Sequence, residues 1–245
     1  MVTALDAEEL RVAQEGIRTL VEERMNRIVE FLASQSNLTP KQFRNSLIVQ
    51  TNNVVFQFGE AAAGFAAEWY DAARLAEGVS GRYVAVTAPS PYGADAVEGM
   101  VRRAVGAMFQ ESPDLAATMR TVSTNAGKYV LGASRATVQA NSFRDPKANG
   151  WRRVARGGTC DFCIMLVGRG AVYRQETVHF AAHGRCDCAA VPSFDPSAPE
   201  VDVRLYEASA RTTRMSPSQR EAHNDLIRSY IADHKLQLAD TRSSL

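Results

Sequence analysis

The spacing of apolar positions near the start of the chain predicts a long first helix. One apolar residue follows another at steps of seven, four, seven and four: Leu10, Ile17, Val21, Ile28 and Leu32. These steps place all of the side chains on one helical face. We therefore predict a helix of about eight turns that ends near Ser34.

The polar side of this predicted helix is acidic. Residues 1–35 contain seven acidic residues and four arginines. A solvated outer face on a core helix accounts for this pattern. The alternative is that the helix packs against another subunit.

Capping signals mark the next helices. Thr39-Pro40-Lys41-Gln42 forms a capping box with proline at the first helical position, and the apolar content stays high to residue 78.

Residues 79–93 are predicted to be a loop that contains a short extended piece over 82–86. Helix is expected again over 95–109 and over 112–143. Ser216-Pro217-Ser218-Gln219 is a second capping box, and it opens the last of two C-terminal helices predicted over 201–212 and 217–238.

Shorter elements are predicted from Trp151 onward. Residues 151–156 and 171–173 have the composition of short strands, and glycine pairs or triplets between them indicate turns. Residues 192–199 are expected to form a linker.

Composition excludes several classes of protein. The 245 residues include 28 Lys and Arg against 27 Asp and Glu, for a net charge of +1, whereas a dedicated nucleic-acid binder usually carries a basic excess. No stretch approaches the roughly 20 apolar residues of a spanning helix, and the acidic N-terminus is unlike a secretory signal. We therefore expect the chain to be made and folded in a reducing cytosol.

Four cysteines cluster in an otherwise ordinary composition. Cys160-x-x-Cys163 is followed, after 22 residues, by Cys186-x-Cys188, with His183 and His179 just upstream. In a reducing compartment such a cluster indicates a metal site before it indicates disulfides. The alternative without metal is that the cysteines are small buried residues, or form disulfides after release from the cell.

Zn²⁺ takes four cysteine or histidine ligands in structural sites. Residues two apart in a strand point to the same side, so Cys186 and Cys188 could both approach one ion, or one could bind while the other packs. We favour Cys160, Cys163, His183 and one of the last two cysteines, with Cys188 ahead of Cys186. Four protein ligands would make the zinc site closed and structural.

These patterns predict a mainly α protein with a small zinc-stapled β knuckle, an α+β class. The predicted division is a helical domain over residues 1–147, a zinc-knuckle β-rich domain over 148–198 and a helical C-terminal tail over 199–245.

No catalytic pattern is found in the sequence, which lacks Gly-x-Ser-x-Gly, a phosphate-binding Gly-x-x-x-x-Gly-Lys and His-Glu-x-x-His. One local charge feature remains, a group of arginines around the cysteines: Arg152, Arg153, Arg156, Arg169 and Arg174. They form either a solvated rim or a patch that contacts nucleic acid or an acidic protein surface.

Three motifs together resemble a known family. Cys160-x-x-Cys163, Gly170-Ala171-Val172-Tyr173 and His183-x-x-Cys186-x-Cys188 resemble the minor capsid proteins of the Mu F-like (MuF) head-morphogenesis kind, especially versions in phages of actinobacteria. In the N-terminal half, residues 67–71 and 96–99 are similar to the same relatives, so that the resemblance covers most of residues 40–195.

The resemblance implies a virion structural protein of the head, made in the bacterial host cytoplasm and present in several copies in an assembly. Its expected partners are the portal and the major capsid protein, with packaged DNA as a further one and no membrane, and its expected role is head assembly or DNA delivery. Two alternatives stay open. The first is a capsid maturation protease or other head-associated hydrolase using His179 or His183, and the second is a zinc-ribbon DNA-binding module.

Overall fold

The computed structural model describes most of the chain up to Glu200 and a short piece beyond it. The described residues are 4–154 (side chains from residue 7), 163, 166, 167, 172–174, 180, 182, 184, 186, 188–200, 216–219, 221 and 222.

Four α-helices account for most of this part of the chain. They are α1 (Ala4–Ser34), α2 (Pro40–Ala76), α3 (Ala94–Val105) and α4 (Leu115–Arg144), and a 3-10 turn over Gly106–Phe109 follows α3. The predicted first helix and its end at Ser34 are confirmed. Its apolar stripe faces inward, since four of the five predicted residues are buried and Ile17 is half-buried.

Side-chain caps fix where two of the helices begin. At the start of α2, Gln42 donates its backbone N–H to the Thr39 hydroxyl and its side-chain oxygen accepts from the Thr39 backbone N–H, which confirms the predicted capping box. Helix α4 begins three residues later than predicted, at Leu115. Its cap is Asp114, whose carboxylate accepts from the Ala117 N–H at 2.7 Å.

Helices α2 and α4 pack against each other, α1 lies along both, and α3 closes against α2 and α4. A first core fills this bundle with residues such as Val21, Leu47, Val101 and Val130. A second core lies where the helices meet the residues after 150, and it joins Trp69, Tyr70 and Val138 to the strand residues. The predicted division into domains stays a prediction, but the two parts share this second core.

The two strands form one antiparallel pair, β1 (Trp151–Val154) with β2 (Ala189–Pro192), in the register Trp151 to Pro192 and Val154 to Ala189. Sequence analysis predicted β1, whereas it did not predict β2. Tyr173 forms an isolated antiparallel bridge with Trp151 on the other edge of β1, so the predicted extended piece over 171–173 is seen in its described residues.

The loop over 79–93 is confirmed, but its central piece pairs with side chains instead of a strand. The Asn141 amide on α4 accepts from the Val86 N–H at 2.9 Å and donates to the Val86 carbonyl at 2.8 Å. Thr137 accepts from the Ala88 N–H in the same way, at 2.9 Å. Polar side chains of α4 therefore stand in for a neighbouring strand along this loop.

Beyond Glu200 only a helical fragment is described. At its start Ser216 and Gln219 form the second predicted capping box, with backbone-to-side-chain distances of 2.9 and 3.3 Å. The helix predicted over 201–212 and most of that over 217–238 lie outside the described residues.

Among the helices that are described, none combines the length and the apolar character needed to cross a membrane.

Candidate metal centre

Three of the four cysteines meet in the second core. Cys163, Cys186 and Cys188 are buried, and their sulfur atoms all lie within 4.8 Å of one another. The sulfurs of Cys163 and Cys186 are 3.6 Å apart, well beyond the roughly 2.05 Å of a disulfide. The structure thus brings together the two halves of the motif across more than twenty residues of chain.

This spacing fits a tetrahedral metal. Four sulfurs at about 2.3 Å from one Zn²⁺ are about 3.8 Å from each other, close to the separation of Cys163 and Cys186. Soft thiolates with no carboxylate in the group are the ligands that zinc prefers in structural sites. The three described cysteines can therefore supply three of four zinc ligands.

Both members of Cys186-x-Cys188 belong to this cluster. The sequence left open whether one of them binds while the other packs, and the structure places both sulfurs beside Cys163. A single position then remains for the other two predicted ligands, Cys160 and His183. Those two residues lie outside the described residues, as does His179, so the identity of the fourth ligand stays a prediction.

The pKa values of the three cysteine thiols shift in different directions. The pKa of Cys186 is lowered, because its sulfur accepts hydrogen bonds from Cys163 and Cys188 and the Arg135 guanidinium is near, although burial opposes the shift. The pKa of Cys163 is raised by its hydrogen bonds with Cys186 and Cys188 and by burial. The hydrogen bond with Cys163 lowers the pKa of Cys188, but that with Cys186 and burial together raise it to about 12. The opposite shifts follow from hydrogen bonds among three sulfurs that lie close together.

Helix α4 positions the second half of the motif. Arg135 donates from Nε to the Cys188 carbonyl at 3.2 Å and from Nη2 to the Cys186 carbonyl at 2.9 Å. Three turns earlier on the same helix, Thr124 lies against Gly184, where an added Cβ would come within 2.7 Å of the Thr124 methyl. Gly184 and the backbone carbonyls of Cys186 and Cys188 thus lie close to α4.

Aromatic and cationic side chains surround the cysteines. The Phe180 ring lies 3.6 Å from the Arg153 guanidinium carbon and 4.8 Å from that of Arg135. Arg153, on β1, also reaches the Cys186 sulfur at 3.9 Å. Trp151 stacks on Tyr173 at 4.3 Å between ring centroids and meets Phe180 at 5.6 Å. The site is consequently closed by packed side chains, as expected of a structural centre.

The predicted arginine patch does not share one environment. Arg153 is buried beside the cysteines, and Arg152 is half-buried, with a pKa lowered by burial. Arg174 is exposed, but its guanidinium donates to the carbonyls of Asn149 and Ala198 at 3.3 and 2.9 Å. Arg156 and Arg169 lie outside the described residues.

Sequence reasoning missed Arg135 and Phe180. A signal for Arg135 exists, since it is the only charged residue over residues 129–143 and a lone arginine in an apolar helix face needs a buried partner. No comparable signal exists for Phe180.

Residues 1–213 match the family model described as VG15 protein. No curated protein and no solved structure matches the chain.

Proposed function

Because the chain belongs to the VG15 protein family, a family of phage proteins, we propose that it is a structural protein of the virion. In this proposal it is a minor capsid or head morphogenesis protein that acts in head assembly near the portal or in the capsid interior. The observation that carries the proposal is the family match, which runs over residues 1–213 and so includes both the helical bundle and the cysteine cluster.

The proposal includes one structural Zn²⁺. Cys163, Cys186 and Cys188 hold it together with Cys160 or His183 in a closed site. When bound, the ion joins Cys163 to Cys186 and Cys188, which lead into β2, and so adds to the hold of Arg135 and of a sheet with only two four-residue strands. So small a unit gains much of its stability from a metal. The proposed function includes no catalytic step.

The proposed partners are the portal and the major capsid protein, in an assembly with several copies of the chain in the head. The polar side of α1 offers acidic contacts, because Glu9, Glu23 and Glu30 are exposed. The three described arginines of the predicted patch add no specific argument for the DNA-binding alternative, because Arg152 and Arg153 are at least half-buried and Arg174 holds backbone carbonyls.

The test is the content of purified phage particles. Mass spectrometry of gradient-purified virions and of procapsids is expected to find peptides of this chain in both, at fewer copies than the major capsid protein. Deletion of the gene is expected to reduce the yield of complete heads while the major capsid protein keeps its mature length. Particles that lack the chain would contradict the virion proposal, and an unprocessed capsid protein in the deletion strain would favour the protease alternative.

A further inference from the structure

Arg135 is a buried charge with an unusual set of partners. Its side chain is 3% exposed, and it contacts two backbone carbonyls, of Cys186 and Cys188, and the face of Phe180. In the described part of the chain no carboxylate forms an ion pair with it, whereas the buried Arg74 pairs with Asp145 at 2.8 Å.

A buried guanidinium needs negative charge nearby, because carbonyl dipoles and an aromatic ring only partly replace its hydration. The described groups that can carry such charge beside Arg135 are the cysteine sulfurs. Zn²⁺ with three thiolates has a formal charge of −1, and with four thiolates it has −2. A zinc–thiolate centre would therefore supply the counter-charge that no described carboxylate gives this arginine.

Arg135 also has a geometric role, because it holds the backbone of the Cys186-x-Cys188 pair. The guanidinium fork spans the carbonyls of Cys186 and Cys188, so it fixes the backbone at both residues. Residues 186 and 188 then present both sulfurs toward Cys163. A lysine keeps the charge but offers one ammonium point instead of a planar fork, so it cannot reproduce this contact.

We propose that Arg135 is a positioning residue of the metal centre, which holds both carbonyls of the Cys186-x-Cys188 pair and balances the charge of the metal–thiolate group. The inference rests on the zinc site proposed above. Through Arg135, helix α4 of the bundle then helps to position the metal ligands.

The experiment uses the full-length chain and its Arg135→Lys and Arg135→Met variants. Zinc affinity is measured by competition with a chromophoric chelator, and the ligand field is measured from the visible and charge-transfer bands of the Co²⁺-loaded proteins. Loss of a group that orients metal ligands typically weakens metal binding by about 10- to 100-fold. We expect a loss in that range for Arg135→Met, a smaller loss for Arg135→Lys, and shifted Co²⁺ bands in both.

The matched control is Lys128→Met. Lys128 lies two turns earlier on the same helix, and its ammonium group contacts the Tyr92 ring at 5.2 Å rather than the cysteine carbonyls. Its removal is expected to leave the Co²⁺ bands unchanged and to alter the zinc affinity less than Arg135→Met does, because Lys128 influences Cys186 only through its charge and holds none of the cysteine carbonyls.

The outcomes separate this inference from the zinc proposal. Wild-type protein that binds neither Zn²⁺ nor Co²⁺ overturns both. Wild-type protein that binds them, with unchanged affinity and bands in the Arg135 variants, overturns the inference alone. If Arg135→Met does not fold, Arg135→Lys decides, since unchanged affinity and bands in that variant refute the positioning role.

Discussion

Arg74 and Asp145 form a buried ion pair that ties the end of α2 to the end of α4. Their side chains are 8% and 0% exposed, and the guanidinium also donates to the carbonyls of Val79, Ser80 and Gly81. Asp145 accepts the backbone N–H of Lys147 with its other oxygen. One pair of residues thus fixes the entry to the loop over 79–93 and the exit from α4.

Replacing Asp145 by Ala is expected to lower the free energy of unfolding by about 3–5 kcal/mol, because it leaves a buried guanidinium without its counter-charge. Urea unfolding followed by circular dichroism measures the change. Glu98→Ala is the control, since its pair with Arg102 is about half exposed and such pairs contribute roughly 0–1 kcal/mol. Equal losses in the two variants would show that burial of the pair has no energetic consequence.

Gly150 is a second residue on which the fold depends. Its φ is +111°, and an added Cβ would lie 2.2 Å from the Tyr173 carbonyl oxygen. Gly150→Ala is expected to cost about 2–4 kcal/mol from backbone strain and overpacking, again measured by urea unfolding. Gly64→Ala, inside α2 with no atom within 4 Å of an added Cβ, is expected to gain up to about 1 kcal/mol. An unchanged free energy of unfolding in Gly150→Ala would show that the fold does not depend on the backbone conformation at this residue.

For single residues, the sequence shows which side chains can bind a metal or form an ion pair, but it rarely shows which residue each of them contacts. The cysteine spacing predicted that Cys163 meets at least one of Cys186 and Cys188, with Cys188 favoured, and the structure places both beside it. The pairing of Arg74 with Asp145 could not be predicted, since it depends on the packing of α2 against α4 across 71 positions.

Among the elements, the loop over 79–93 has the least regular structure and the most specific anchoring. Asn141 uses all of its amide hydrogen-bonding capacity, on Val86, Thr137 and the Tyr83 hydroxyl, the last at 2.7 Å. Such a satisfied buried amide holds backbone as a strand would.

Asn141→Ala is therefore expected to release the loop while α4 stays folded. Hydrogen exchange of the Val86 and Ala88 amides is expected to accelerate by at least about tenfold, the effect of losing about 1.4 kcal/mol of local protection. Asn125→Ala is the control on the same helix, because that half-buried amide donates to its own helix, at the Thr121 carbonyl. Unchanged hydrogen exchange at Val86 would show that Asn141 does not hold the loop.

The helices could be predicted from the sequence because their signals are local, namely an apolar stripe in α1 and a capping box in α2. Strand β2 could not, since Ala189-Ala190-Val191-Pro192 has no alternation and is buried at all four positions. Its pairing with β1 is defined by a partner 35 or more residues away.

At the scale of the whole molecule, the described part of the chain has two cores, and the cluster of Cys163, Cys186 and Cys188 belongs to one of them. Both tryptophans lie in the second core, Trp69 on α2 and Trp151 on β1, at 5% and 1% exposure. The first core contains neither. Tryptophan emission therefore reports on the core that holds the cysteines.

Removal of zinc by a strong chelator is expected to shift tryptophan emission to the red, because the second core loosens and admits water. Far-UV circular dichroism is expected to change much less, since the bundle keeps its own core. Trp69→Phe leaves Trp151 as the sole reporter and is expected to show the larger relative shift. An emission spectrum that stays constant while zinc is lost would argue against a structural role for the metal.

In the proposed metal centre, the three cysteines bind one zinc ion in a closed site. Zinc K-edge X-ray absorption of the purified chain counts the ligands directly. The expected result is one zinc per chain with three or four sulfur ligands at about 2.3 Å and at most one nitrogen. A chain purified without zinc, or zinc surrounded mainly by oxygen and nitrogen, would contradict the account.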